Sequence, residues 1–407
     1  MFYRLGKVNE NRGRERYVRD LANVVKRESV ELWVGCSNSD LDLEAKGIVE
    51  RETRCEIFQF GRTVTELFGN GTAFREHVKK LGLNVAERHL ITSEDETFVI
   101  LYPENSSSQG KQYIITSVTP SDTNNLEVAL LPLSSQNDIR TYVKTLQPST
   151  SNPLVLQEAF PDHEQYTAYA LFTHGKLGAF VVYPTSTTIL TPLLSISLLA
   201  QTLLQYTNHL ITSLPSSQEE KNGHLTLNFT IPSDLAVPAE SKYGPASSAI
   251  KSSLSHVHLL SCTPSLGLGT LALRDAAEDL ASAYLSILPD REPEGVSKGH
   301  LKDQIIVPRP PFRGYYFLGN EIVRLVLGPV LAFLRWEIGI REVVRGWLEF
   351  LGFVMWWREG WEEVWDPWVV WWGYGGYAVG RAVIGLWERV QWNDENGSDE
   401  DALVRRT

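Results

Sequence analysis

The stretch Leu154-Val-Leu-Gln-Glu-Ala-Phe-Pro-Asp-His-Glu-Gln-Tyr166 decides the fold. Its apolar start predicts a strand over 153–158. Pro161-Asp162 then stops it, because proline lacks the amide hydrogen a ladder needs and aspartate favours turns. Strand-forming residues resume over 166–172, His174-Gly175 supplies a turn, and 177–183 runs back, so the centre of the chain reads as antiparallel strands.

Upstream, runs at 97–102 and 112–118 also read as strands, separated by the turn cluster Asn105-Ser-Ser-Ser-Gln-Gly. Thr72 to Leu81 has helical periodicity and is stopped by Gly82. Nearer the start, Tyr17, Val18, Leu21, Val24 and Val25 mark a helix over 12–27, Glu31 to Gly35 a short strand, 41–55 a helix and Glu56 to Phe60 another strand. A small parallel α/β layer is therefore expected in the first 65 or so residues, ahead of an α+β body. Downstream, Leu177 to Gln218 contains no Asp, Glu, Lys or Arg, and Leu193, Leu194, Leu198, Leu199, Leu203 and Leu204 recur at helical intervals. The interleaved Ser, Thr, Gln and Asn favour a core helix over a membrane span.

Residues 288–313 hold five prolines and mixed charge, the composition of a linker. Beyond them, eleven of the twelve tryptophans fall between Trp336 and Trp392, interleaved with Val, Leu, Gly and Tyr, and the tail 394–407 is polar and acidic. The apolar runs there are too short to span, and amphipathic indole rings prefer the headgroup layer, so this segment is expected to associate with a membrane surface through interfacial helices. A helical cap packed on the body is the alternative. The expected division is 1–88, 89–287, a linker at 288–313, a Trp-rich helical segment at 314–393 and a disordered tail at 394–407. The expected location is cytoplasmic, with peripheral or monotopic attachment.

Composition narrows the function. The 407 residues carry 38 Lys plus Arg against 49 Asp plus Glu, a net charge of -11 whose whole-molecule field repels nucleic acid and anionic lipid, so no nucleic-acid partner is expected. Cys36, Cys55 and Cys262 are too few and too scattered for a disulfide framework or a paired-cysteine zinc site. The N-terminus turns polar by Asn9 and lacks a secretory apolar stretch. His256-x-His258 lacks a third ligand and reads as structural, and Gly267-x-Gly269 follows Pro264 too loosely for a dinucleotide turn and reads as a loop.

Several segments carry a resemblance. Leu32-Trp-Val-Gly-Cys-Ser, Glu44-Ala-Lys-Gly-Ile-Val-Glu, Gln59-Phe-Gly-Arg-Thr, Leu81-Gly-Leu and the 154–166 stretch, together with Gly223-His-Leu-Thr-Leu-Asn-Phe, Gly314-Tyr-Tyr-Phe-Leu-Gly and Val364-Trp-Asp-Pro-Trp, resemble a fungal carboxylate-amine ligase-like branch of the ATP-grasp superfamily. The likeness implies an α+β ATP-grasp fold behind a partial Rossmann-like layer, shorter at its N-terminus than in relatives. It also implies a ligase that activates a small carboxylate with ATP as an acyl phosphate and passes it to an amine, with Mg2+ bridging the phosphates.

By motif matching, Gln157 would face the adenine amino group, the backbone of Glu158 and Phe160 would meet the ring edge, and Glu164 would accept from the ribose hydroxyls. Read alone, these are a strand end and a turn with solvated carboxylates. The catalytic side departs from the pattern. Thr116 stands where relatives carry a lysine, and a neutral hydrogen bond is worth about 1 kcal/mol against about 1.5 to 3 for a charged one. Asn228 stands where relatives place an aspartate, and their Glu-x-Asn-Pro-Arg segment is matched to Glu240-Ser-Lys-Tyr-Gly. Glu240 remains as a metal ligand, but Lys242 falls where a neutral amide is expected. Two unit charges about 4 Å apart at an effective dielectric of about 20 repel by about 4 kcal/mol, more against a divalent ion. The usual two-metal set is thus not expected, and Lys242 instead offers a tethered ammonium, or else a surface pair with Glu240. Catalysis is expected to be weak or lost. A non-catalytic membrane scaffold is the alternative function.

Overall fold

A computed structural model gives the architecture; the description covers residues 13–36, 40–102, 111–117, 129–133, 135–150, 152–185, 190–214, 221–241, 253–288, 305–309, 315–316, 321–356 and 358–359. The loop after Ser117, Lys242, the Pro-rich stretch before residue 305 and everything from Gly360 onward lie outside the described residues. The chain divides into two compact units, Met1–Ser186 with Pro192–Pro310, and Thr187–Thr191 with Pro311–Thr407.

The first unit opens with α1 (Gly13–Arg27), β1 (Leu32–Val34), α2 (Asp40–Glu52) and β2 (Glu56–Phe58). β1 and β2 pair in parallel, Leu32 opposite Glu56, and Ala22, Val25, Val49, Cys55 and Ile57 form their shared core. Helices α3 (Arg62–Gly69) and α4 (Gly71–Lys80) follow, with the Asn70 side chain capping α4 by accepting from the Ala73 amide. Gly82, at φ 71°, takes the left-handed conformation that ends α4.

After β3 (Asn84–Val85) comes a small sheet of β4 (Arg88–Ile91), β5 (Gln112–Ser117) and β6 (Leu154–Ala159), ordered β4-β6-β5 and antiparallel throughout. Two helices, α5 (Glu94–Leu101) and α6 (Gln136–Leu146), pack on it; Leu101, Ile139 and Val143 join Ile91, Tyr113, Ile115, Leu154 and Leu156 in one buried cluster. Here the structure corrects the strand expected at 97–102. The segment is helical because the Ser93 hydroxyl accepts from the Glu96 amide, while the Glu96 carboxylate accepts from the Thr92 amide and hydroxyl. Reciprocal capping of this kind outweighs the strand preference of a short apolar run.

The larger sheet takes β7 (His163–Thr173), β8 (Lys176–Pro184), β9 (Gly223–Pro232) and β10 (His258–Thr263) in the order β3-β10-β9-β7-β8, with only the β3–β10 pair parallel. The β7–β8 turn holds His174 at φ 50° and Gly175 at φ 73°. α7 (Leu198–Thr212) and α8 (Ser233–Ser241) cover one face, burying Leu199, Leu203, Tyr206 and Ala236 against Tyr166, Leu227 and Phe229. The uncharged Leu-rich stretch is therefore a core helix, starting at Leu198 where Ser197 caps it. Along β10 the register shifts between Leu259 and Ser261, leaving Leu260 as the extra residue of a bulge. A 3-10 helix (Leu268–Ala276) and α9 (Ala277–Leu285) follow, and Ile306 adds a parallel bridge to Ala179 of β8.

In the second unit β11 (Tyr315–Tyr316) pairs in parallel with β12 (Arg358–Glu359). A π-helical turn at Ile322–Leu327 leads into α10 (Gly328–Leu334) and α11 (Ile340–Trp356). No helix among the described residues is long and apolar enough to cross a membrane.

Candidate functional site

Side chains alternate across a strand, so the five-stranded sheet has a second face, opposite α7 and α8. On that face four neutral groups form a continuous ladder. Asn228 pairs in register with Thr167 on one side and Ser261 on the other. Thr167 Oγ1 donates to Asn228 Oδ1 at 2.8 Å, and Asn228 Nδ2 donates to Ser261 Oγ at 2.8 Å. Because the Thr167 hydrogen is committed to Asn228, the Thr185 hydroxyl, also 2.8 Å away, must be the donor to Thr167.

Toward the β6–β7 connection the same face carries His163, Thr230 and His258. Phe160 packs on both imidazoles, 4.9 Å from His163 and 5.0 Å from His258 between ring centroids. Burial pushes both histidines below their usual range, which leaves the rings neutral near pH 7. Two polar atoms here are buried without a hydrogen-bond partner, His163 Nδ1 and Thr230 Oγ1.

At its other end this face is closed by packing. Tyr169 Oη lies 2.7 Å from His224 Nδ1, and Tyr284 Oη of α9 lies 3.4 Å from His224 Nε2. Phe58 of β2 packs edge-on to Tyr284, at 4.9 Å. The 3-10 helix crosses closely above: a Cβ added at Gly267 would strike the Thr226 hydroxyl, and one at Gly269 would strike Tyr169. The Gly-x-Gly run is thus a packing device over the sheet, and burial holds His224 down at about 4.

On the small sheet, Gln157 and Thr116 share the face turned away from α5 and α6, since Leu154, Leu156, Tyr113 and Ile115 occupy the helix side. Glu158 falls on the helix side. Its carboxylate accepts from the Glu87 amide at 2.9 Å and lies 3.3 Å from Lys111 Nζ, which also binds Glu87 at 2.7 Å. Tyr113 Oη adds a hydrogen bond to Glu87 at 3.0 Å. Burial acts to raise the Glu87 pKa, but the bonds from Lys111 and Tyr113 outweigh it and hold the carboxyl low. The backbone of this segment is engaged as well: the Glu158 amide donates to Glu87 O at 2.8 Å, and the Phe160 carbonyl accepts from His163 at 3.2 Å.

The expected metal pair does not converge. Glu240, on α8, accepts a 2.7 Å hydrogen bond from Tyr166 Oη, and Glu164 contributes to the field that raises the same phenol's pKa. Tyr166 belongs to the helix-covered core, so Glu240 and Glu164 lie on the side of the sheet opposite Asn228. Lys242 lies outside the described residues. Thr167, Thr185, Ser261, Thr230 and His163 are the residues that sequence reasoning missed. One signal was available: Thr167, Asn228 and Ser261 are polar residues set within strands, and Ser261 sits beside Asn228 in register. Among the described residues no three His, Cys, Asp or Glu side chains gather to hold a metal ion, and a neutral ladder with its polar atoms already paired does not fit Mg2+.

No known family matches the chain, and no curated protein matches it. Solved structures do show likeness. An N5-carboxyaminoimidazole ribonucleotide synthetase in its ADP complex is 13% identical, with 63% of this chain and 59% of that chain covered at a TM-score of 0.42. The carboxyaminoimidazole ribonucleotide synthase of Aspergillus clavatus with ATP is 12% identical, with 66% and 60% covered at 0.42. The D-alanine-D-alanine ligase of Helicobacter pylori is 10% identical, with 61% and 68% covered at 0.41. This chain thus spans about three fifths of the first of these.

Proposed function

We propose that the chain is an ATP-grasp-type nucleotide-binding protein related to ATP-dependent carboxylate-amine ligases, with catalysis weak or lost. The ladder Thr185, Thr167, Asn228 and Ser261 is the observation that supports this reading: its groups are neutral and bonded to one another, whereas a ligase of that kind would need carboxylates to hold metal. The strand order supports the ancestry: a three-stranded antiparallel sheet with two helices leads through Phe160–Asp162 directly into a five-stranded, mainly antiparallel sheet. His163 Nδ1 and Thr230 Oγ1 support a ligand, since buried polar atoms without partners cost free energy unless something bonds them. In this reading the nucleotide base lies beside Phe160 and Gln157, Thr116 faces the phosphates, and Mg2+ is not required. Glu158 acts as a latch between strands and does not touch the ligand.

Thermal unfolding with ATP, in magnesium and in a chelator, tests the proposal. The expected result is an equal rise in Tm in both, because a ligand that binds only the folded state stabilises it. No rise in either condition would sink nucleotide binding, and a rise only with magnesium would sink the metal-free site. A second reading, a non-catalytic membrane-associated scaffold, is favoured by the large apolar side chains that α11 leaves in solvent.

A further inference from the structure

The second unit carries a surface that the nucleotide reading does not use. Ile340, Val344, Trp347, Leu348, Leu351 and Met355 of α11 are 58%, 48%, 49%, 64%, 53% and 74% exposed. At about 100° per residue they fall within one arc of about 100°. The neighbouring arc is packed: Val343 is 6% exposed, and a Cβ on Gly346 would strike the Leu325 carbonyl. On the other border of the apolar arc stand Arg341 and Arg345, and beyond them Glu342 and Glu349, the latter 3.4 Å from Arg324. Apolar stripe, arginine rim and acids beyond it follow one another around the helix. Trp336, 91% exposed, precedes it.

We propose that α11 lies flat on an anionic lipid surface, with the apolar arc in the acyl boundary and Arg341 and Arg345 at the level of the headgroups. The arc commits to lipid because the charge directly bordering it is cationic, matching acidic headgroups, and because the indoles suit the interface. Seventeen residues, on a helix not apolar enough to cross, restrict it to lying in the plane. This inference rests on the membrane-surface reading above and names the face that makes the contact.

The test is flotation of the full chain with phosphatidylcholine vesicles, with and without phosphatidylserine. Wild type is expected to float with both, more strongly with the acidic lipid. Leu348→Glu with Leu351→Glu should lose at least about tenfold in partitioning, and Arg341→Glu with Arg345→Glu should lose only the phosphatidylserine preference. Circular dichroism should not change, since all four side chains are at the surface. If wild type stays with the soluble fraction, membrane attachment itself is wrong. If wild type floats and the leucine variant floats equally, attachment stands but this face is not its cause. Self-association of the wild type that the leucine variant abolishes, without flotation, would make the arc a contact between copies and overturn the proposal.

Discussion

The two ends of one sheet face obey different rules. At the Tyr169 end, every polar group has been turned into a fastener: His224 sits between two phenols, glycines let the 3-10 helix press down, and Phe58 brings the N-terminal layer into the same contact. At the Phe160 end the polar groups are satisfied in part only, with the ladder complete and His163 Nδ1 and Thr230 Oγ1 left over. The contrast separates residues kept for packing from residues available to a ligand.

Mutations should separate the ends in the same way. The largest effect belongs to Tyr169→Ala, which removes a fully buried ring and should cost about 3 to 5 kcal/mol, read as a lower urea midpoint. Acid comes next. His224 is neutral in the folded protein down to about pH 4 but titrates near 6.5 when unfolded. The unfolded chain therefore binds the extra proton, and stability falls as pH drops through that window. At about 1.36 kcal/mol per pH unit over the 2.5 between them, the loss is about 3 kcal/mol at pH 4 and below, absent above about 6.5. Chemical denaturation of wild type and His224→Gln across pH 4 to 7 checks it; a slope unchanged in the variant would break the assignment.

At the other end, Thr167→Val should cost about 0.5 to 1.5 kcal/mol by removing the hydrogen bonds to Asn228 and Thr185. Thr230→Val should lie within about 0.5 kcal/mol of wild type or be more stable, because it deletes an unpaired buried hydroxyl. If Thr230→Val instead destabilises as much as Thr167→Val, the two ends are alike and the Phe160 end is merely core.

Much of this architecture could be read from residues. The β6, β7 and β8 strands announced themselves through their apolar runs and the His174-Gly175 turn, and α1, α2 and α4 through helical spacing. What could not be read is pairing at long range. Asn228 looks like a lone substitution until register sets Ser261 beside it, 33 positions away, and only then does the polar ladder exist. Glu240 and Glu164 looked like site residues because sequence gives their neighbours along the chain, whereas the parity of the strands decides which side of the sheet they meet. At 97–102 the local pattern itself misled, since four apolar residues suit either state and a capping serine decided between them.

The irregularity at Leu260 has an evolutionary reading. Because β10 absorbs one surplus residue locally, His258 and Ser261 remain opposite Thr230 and Asn228 as they would on a strand one residue shorter. Removing that one residue would therefore leave the pairing on either side unchanged. A lineage could have gained or lost it without exchanging one side of the strand for the other.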